Sequence, residues 1–176
     1  SDLKDRIMTV NGVSKSYCMT GWRIGYAAGR KDLILAMTKI QGQSTSNPAS
    51  ISQYAALAGL NGSREFLKPC LNAFNERRNL VVDGLNSING INCLMPKGAF
   101  YAYPDVSGLL GKKSKSGKLL ENDSDVVEWL LEEAKVAAVP GIAFGLEPYF
   151  RVSYATSTEI LKTAIQKIKY AVSQLT

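Results

Sequence analysis

The sequence predicts an α/β fold, with a long helix bridging from a larger domain to a smaller α+β one that follows it. Short apolar runs bounded by glycine or proline, which read as strands, alternate with windows of helical periodicity. One such window, from Ser63 to beyond Leu85, outlasts its neighbours and divides the chain into an earlier and a later part. The expected divisions are 1–62, 63–90 for the connecting helix, and 91–176.

The elements run in order along the chain. Ile7 to Val10 reads as a strand leading to a lysine turn, and Trp22 to Ala28 as a buried strand leaving it. From Asp32 a helical stripe of Leu33, Leu35, Ala36, Met37 and Ile40 runs to about Gly42. Pro48 opens another helix with a broad apolar face, and Asn61-Gly62 is the expected left-handed terminator. The long helix comes next, with Pro69 in its early turns as a candidate kink. Beyond it come a strand near Phe100–Tyr103, a helix over Ser124–Lys135, strands at Val136–Val139 and Tyr149–Tyr154, and a closing amphipathic helix from Ser157. Phe100, Tyr101 and Tyr103 are expected to serve as core and sheet pairs.

Composition narrows the function. At 176 residues and 45% hydrophobic, the chain is long enough to bury a substantial core. Its apolar runs are too short and too interrupted to span a bilayer, and no basic-then-apolar signal opens it, so the cytoplasm is the expected compartment. Cys18, Cys70 and Cys93 are scattered and lack metal-ligand spacing, which fits reduced thiols and no metal. With no histidine, hydrolase dyads that depend on imidazole are excluded and a zinc site is not expected. The net charge of +6 has one dense source, Lys112 to Lys118, whose serines and glycine mark a solvated loop; no nucleic-acid or membrane partner is expected from it. Excess positive charge instead suits anionic substrates.

The most informative stretch is Ser14-Lys15-Ser16-Tyr17-Cys18-Met19-Thr20-Gly21-Trp22-Arg23-Ile24-Gly25-Tyr26. A lysine amine condenses with a carbonyl to a Schiff base, and an arginine a short loop away can neutralise and orient a phosphate. Apolar Met8, Val10 and Val13 approach Lys15, and partial burial beside Arg23 would favour the neutral amine that a proton shuttle requires. The residues alone leave alternatives open: a solvated lysine, a turn role for the Ser14 hydroxyl and a structural ion pair for Arg23.

The strings Asn11–Lys15 and Met19–Tyr26 resemble the cofactor-lysine segment of fold-type I, class I aminotransferases, in particular the bacterial aspartate aminotransferases. Gln43-Ser44-Thr45-Ser46-Asn47-Pro48 resembles that family's interface turn, and Pro148 to Ser157 its carboxylate-arginine segment. The resemblance implies the end of a large mixed-sheet domain and pyridoxal 5'-phosphate as cofactor. It implies Lys15 as the catalytic and cofactor-anchoring residue, Ser14 and Arg23 as phosphate donors, and Arg151 as the grip on a substrate carboxylate. Arg151 alternates with Phe150 and Val152, so its side chain points away from theirs; an ion pair with Asp or Glu is its alternative. Ser46 and Asn47 would reach a neighbouring subunit's site in a homodimer, or form a local turn.

The resemblance further implies transamination between L-aspartate and 2-oxoglutarate, with amino acids and 2-oxo acids as substrates. Where one subgroup carries an arginine for the distal carboxylate, this sequence reads Gly42-Gln43-Ser44, so dicarboxylate preference is not legible there. The ring-pairing aspartate and the ring-stacking aromatic precede the lysine in that family, and Asp2 and Asp5 do not match them. The chain is therefore expected to be a C-terminal half, incomplete for catalysis alone. The alternatives are another class I aminotransferase, for aromatic acids, alanine or prephenate, or a non-catalytic piece that binds or assembles.

Overall fold

A computed structural model describes residues 3–176; Ser1 and Asp2, and with them the reading of Asp2, lie outside the described residues. The chain mixes helix and sheet, as predicted, and divides into two compact units, Ser1–Lys68 and Pro69–Thr176.

The first unit opens with an antiparallel ribbon of β1 (Thr9–Gly12) and β2 (Gly25–Ala28), paired from Thr9↔Ala28 to Gly12↔Gly25. Glycine at both ends of the last pair lets the strands close tightly. A Cβ at Gly12 would stand 3.2 Å from the Ile24 carbonyl oxygen, and one at Gly25 would stand 3.2 Å from that of Asn11. Next come two helices, α1 (Lys31–Ser44) and α2 (Ser50–Asn61).

Two expectations fail here. The strand predicted from Trp22 to Ala28 starts only at Gly25, because Thr20–Trp22 is a 3-10 turn and Arg23 is left-handed at φ 53°. Nor is it buried by the described residues: Trp22 and Tyr26 are exposed. Gly62 does end α2, but at φ −78°, outside the left-handed region. It is needed for clearance, since a Cβ there would lie 2.7 Å from the Ala58 carbonyl oxygen, which accepts the Gly62 N–H.

The helix α3 (Leu67–Asn86) begins late enough that Pro69 falls in its first turn, where a missing N–H removes no helical bond. In the second unit its Val81, Val82 and Leu85 join a core with residues of β3 (Tyr101–Ala102), α4 (Asp123–Trp129), β5 (Phe150–Ser153) and α5 (Thr158–Ser173), while β4 (Val139–Pro140) is half-buried beside β5. The sheet order is β3-β5-β4, all antiparallel, with Tyr101↔Ser153 and Val139↔Arg151 in register. The helix expected over Ser124–Lys135 is divided, because Leu130–Ala134 forms a single π turn after α4. Across this junction the indole N–H of Trp129, a fully buried side chain, donates to Glu133 Oε2 at 3.0 Å. Ser157 caps α5, its Oγ accepting the Ile160 N–H at 3.3 Å.

The basic run closes as a tight loop, with a Lys113↔Leu119 bridge and the Lys118 ammonium bound to Glu128. No helix among the described residues is long and apolar enough to cross a membrane, and no cluster there suits a metal ion.

The core makes two predictions. Gly84 faces Ile165 so closely that a Cβ would lie 2.7 Å from Cδ1 and 2.8 Å from Cγ2. Gly84→Ala should lose about 1–3 kcal/mol in urea melts, and Ile165→Val should recover part of that loss. The Ser116 hydroxyl bond holds the Glu133 carboxyl below the usual carboxylate range against the opposing effect of burial, and the Trp129 N–H adds to it. A lowered carboxyl stabilises above the ordinary glutamate range, and that stability is lost as pH falls through the lowered value. Glu133→Gln should therefore melt earlier than wild type at neutral pH, and the gap between the two midpoints should close as pH falls below the ordinary glutamate range; a gap independent of pH would contradict this.

Candidate functional site

The Gly12↔Gly25 pair is the neck of a loop that carries Ser14, Lys15 and Arg23. Inside it the chain folds on its own backbone. Tyr17 N–H donates to the Val13 carbonyl oxygen at 3.2 Å, Cys18 N–H to that of Lys15 at 3.2 Å, and Met19 N–H to that of Ser14 at 3.0 Å. Val13 is fully buried and anchors the turn. Tyr17 and Met19 border Gly59 of α2, and the Tyr17 ring lies 6.3 Å from that of Phe66, so the loop is seated within its own unit.

Ser14 is half-buried and Lys15 exposed, so the partial burial expected around Lys15 is not supplied by the described residues. Arg23 is exposed, and its Nη1 donates to the Thr20 carbonyl oxygen at 3.2 Å. Among the described residues no carboxylate pairs with Arg23, so its alternative as a structural ion pair is not realised. The left-handed backbone at Cys18 and Arg23, φ 54° and 53°, belongs to non-glycine residues, which adopt it at a cost of order 1–3 kcal/mol. An amine, a hydroxyl and a guanidinium on one closed loop are a donor set that fits a phosphate-bearing aldehyde.

In the same unit, between α1 and α2, Ser46 is left-handed at φ 62° and Asn47 Nδ2 donates to the Pro48 carbonyl oxygen at 2.9 Å. That bond is local, of the kind a turn makes.

Arg151 belongs to the second unit, half-buried on β5 beside the fully buried Phe150. Among the described residues no carboxylate pairs with it either. Its guanidinium carbon instead sits 4.3 Å from the ring centroid of Tyr101 and 4.3 Å from that of Phe144. Contacts of this length are worth about 0.5–1 kcal/mol each at exposed sites. A ring over the guanidinium takes no N–H donor, so these contacts do not compete with a bidentate anion for the in-plane fork.

Sequence reasoning missed this pair. Its pattern assigns Tyr101 to sheet packing and does not single out Phe144. The usable signal was Phe144 between Gly141 and Gly145, just before the arginine strand. Tyr103 forms an aromatic pair as expected, its ring stacked on Tyr149 at 5.3 Å, and its hydroxyl is in addition shared between the carbonyl oxygens of Gly141 at 3.1 Å and Leu146 at 3.2 Å. Burial pushes that hydroxyl above the usual phenol range, the Asp123 carboxylate adds to the shift and Arg151 opposes it, so it remains a donor.

The sequence matches the family described as aminotransferase class I and II over residues 1–168. A protein named aspartate aminotransferase from Rhizobium meliloti (strain 1021) is 55% identical over 173 residues, which are 98% of this chain and 42% of that protein. One named aspartate/prephenate aminotransferase from Cereibacter sphaeroides (strain ATCC 17029 / ATH 2.4.9) is 57% identical over 167 residues, 95% of this chain and 42% of that protein. Among solved structures, an aspartate aminotransferase from Rhizobium meliloti superposes with a TM-score of 0.97 at 54% identity, covering 99% of this chain and 44% of that one. The Thermus thermophilus aspartate aminotransferase solved with maleate gives 0.84 at 38% identity, covering 96% and 42%. The chain thus spans less than half the length of these relatives.

Proposed function

The chain belongs to the class I and II aminotransferases, and from that membership we propose that it is the C-terminal part of an aspartate aminotransferase using pyridoxal 5'-phosphate. The reaction moves the amino group of L-aspartate to 2-oxoglutarate, giving oxaloacetate and L-glutamate. The observation that carries this reading is one closed loop bearing Lys15, Ser14 and an Arg23 that no described carboxylate neutralises.

In this reading the Arg23 fork and the Ser14 hydroxyl receive the cofactor's phosphate, the first by charge-assisted bonds and the second as a neutral donor. When bound, the cofactor supplies the aldehyde carbon and the electron-withdrawing ring that acidify the substrate's α C–H. Lys15 Nζ anchors that aldehyde at rest and moves the α proton during the reaction, which requires its neutral amine. The Arg151 fork grips the substrate α-carboxylate, which fixes the bond presented to the base as well as adding affinity. The working protein is a cytoplasmic homodimer, with Ser46 and Asn47 at the turn facing the neighbouring subunit. A second reading, acceptance of prephenate alongside aspartate, draws on relatives named for both substrates.

Full-length protein carrying this chain should bind pyridoxal 5'-phosphate with a visible absorbance band, and Lys15→Ala should abolish that band. A band that survives Lys15→Ala contradicts the assignment. Dialysis and reconstitution separate the two arginines. Arg23→Ala should lose cofactor about tenfold or more faster, whereas Arg151→Lys should retain cofactor and use aspartate poorly, because one ammonium does not reproduce a planar fork. Equal cofactor loss in both variants would undo the division of roles.

A further inference from the structure

We propose that the turn Gly141–Phe144 is a positioning element for Arg151, in which Phe144 and Tyr101 clamp the two faces of the guanidinium while Tyr103 and Asp123 hold the turn in place. The proposal rests on the carboxylate-binding role of Arg151 in the proposed function and adds the groups that aim it.

A guanidinium donates only within its plane, so rings over both faces occupy directions in which it has nothing to donate and leave the in-plane edge for a carboxylate. Both rings stand 4.3 Å from the guanidinium carbon, well inside the range of cation–π attraction. Their supports differ. Tyr101 is fixed by β3, in register with Ser153. Phe144 is 48% exposed on a 3-10 turn, so its place over Arg151 depends on what holds that turn.

Two polar side chains do so. Asp123, 1% exposed, accepts the Ile142 N–H at 3.1 Å and the Tyr149 N–H at 3.4 Å, both on Oδ2. The Tyr103 hydroxyl meets the carbonyl oxygens of Gly141, which opens the turn, and of Leu146, just past its end, and its ring meets the Phe144 ring edge-on at 6.2 Å. The turn is too tight for any residue but glycine at 141, where a Cβ would lie 2.1 Å from the Leu146 carbonyl oxygen. A buried carboxylate and a tyrosine hydroxyl thus set the position of an exposed phenyl ring, and that ring sets the plane of the arginine.

The test titrates maleate into cofactor-loaded full-length protein, reading cofactor absorbance, with KM for aspartate measured in parallel. Phe144→Leu keeps apolar bulk and removes the π face; it should weaken maleate binding about five- to tenfold and raise KM more than it lowers kcat, with cofactor content and melting temperature unchanged. Phe144→Tyr should restore wild-type binding. Tyr103→Phe, which leaves both rings over Arg151 and frees only the turn, should lose about two- to threefold in the same direction. Unchanged maleate binding in Phe144→Leu beside a weakened Arg151→Lys overturns the clamp and leaves the function standing. Unchanged binding in Arg151→Lys overturns the carboxylate role itself, and the clamp with it.

Discussion

The pairing of Gly12 with Gly25 is the constraint on which the first unit's chemistry depends. Two strands brought together at that neck turn the intervening residues from a flexible connection into a closed loop, so Ser14, Lys15 and Arg23 have a fixed common frame. Side chains at either neck position would press on opposing carbonyl oxygens and loosen the closure. Tyr17 and Met19 beside Gly59 then tie the loop to its unit, and three of the turn's own N–H groups are taken by loop carbonyls. An amine, a hydroxyl and a guanidinium stand on that frame, and the proposed function rests on this set.

The second unit solves a related problem by other means. Arg151 lies on a short strand with neighbours on both sides, which fixes its backbone, yet a long side chain on a rigid strand still has rotamer freedom to lose. Flat rings against both faces restrict that freedom without supplying a competing negative charge. A carboxylate partner would have oriented the fork equally well and also satisfied it. Aromatic restraint orients the group and leaves its charge available.

The candidate residues that the sequence made legible are those whose signal is local. Lys15 and Arg23 fall in one short string, and the helices announced themselves by period, α1, α2 and α5 falling close to their expected spans. Tertiary facts were not legible. No periodicity says what covers a strand, so Trp22 to Ala28 read as a buried strand, whereas only Gly25–Ala28 is strand and Trp22 and Tyr26 are exposed. Gly62 stood where a helix terminator belongs, but its reason is contact with the Ala58 carbonyl oxygen, which no dipeptide rule encodes. Tyr101 and Phe144 are remote in sequence and meet only because sheet register and a turn bring both to Arg151. Sequence pattern therefore reached the residues that carry charge and missed those that aim it.

The central claim is that the amine on the closed loop is the one that bonds the cofactor's aldehyde. Borohydride reduction of the full-length protein with pyridoxal 5'-phosphate, followed by peptide mass mapping, reads that bond directly. The account predicts one stoichiometric phosphopyridoxyl label, on Lys15. A label on any other lysine, or one spread over several, would contradict it.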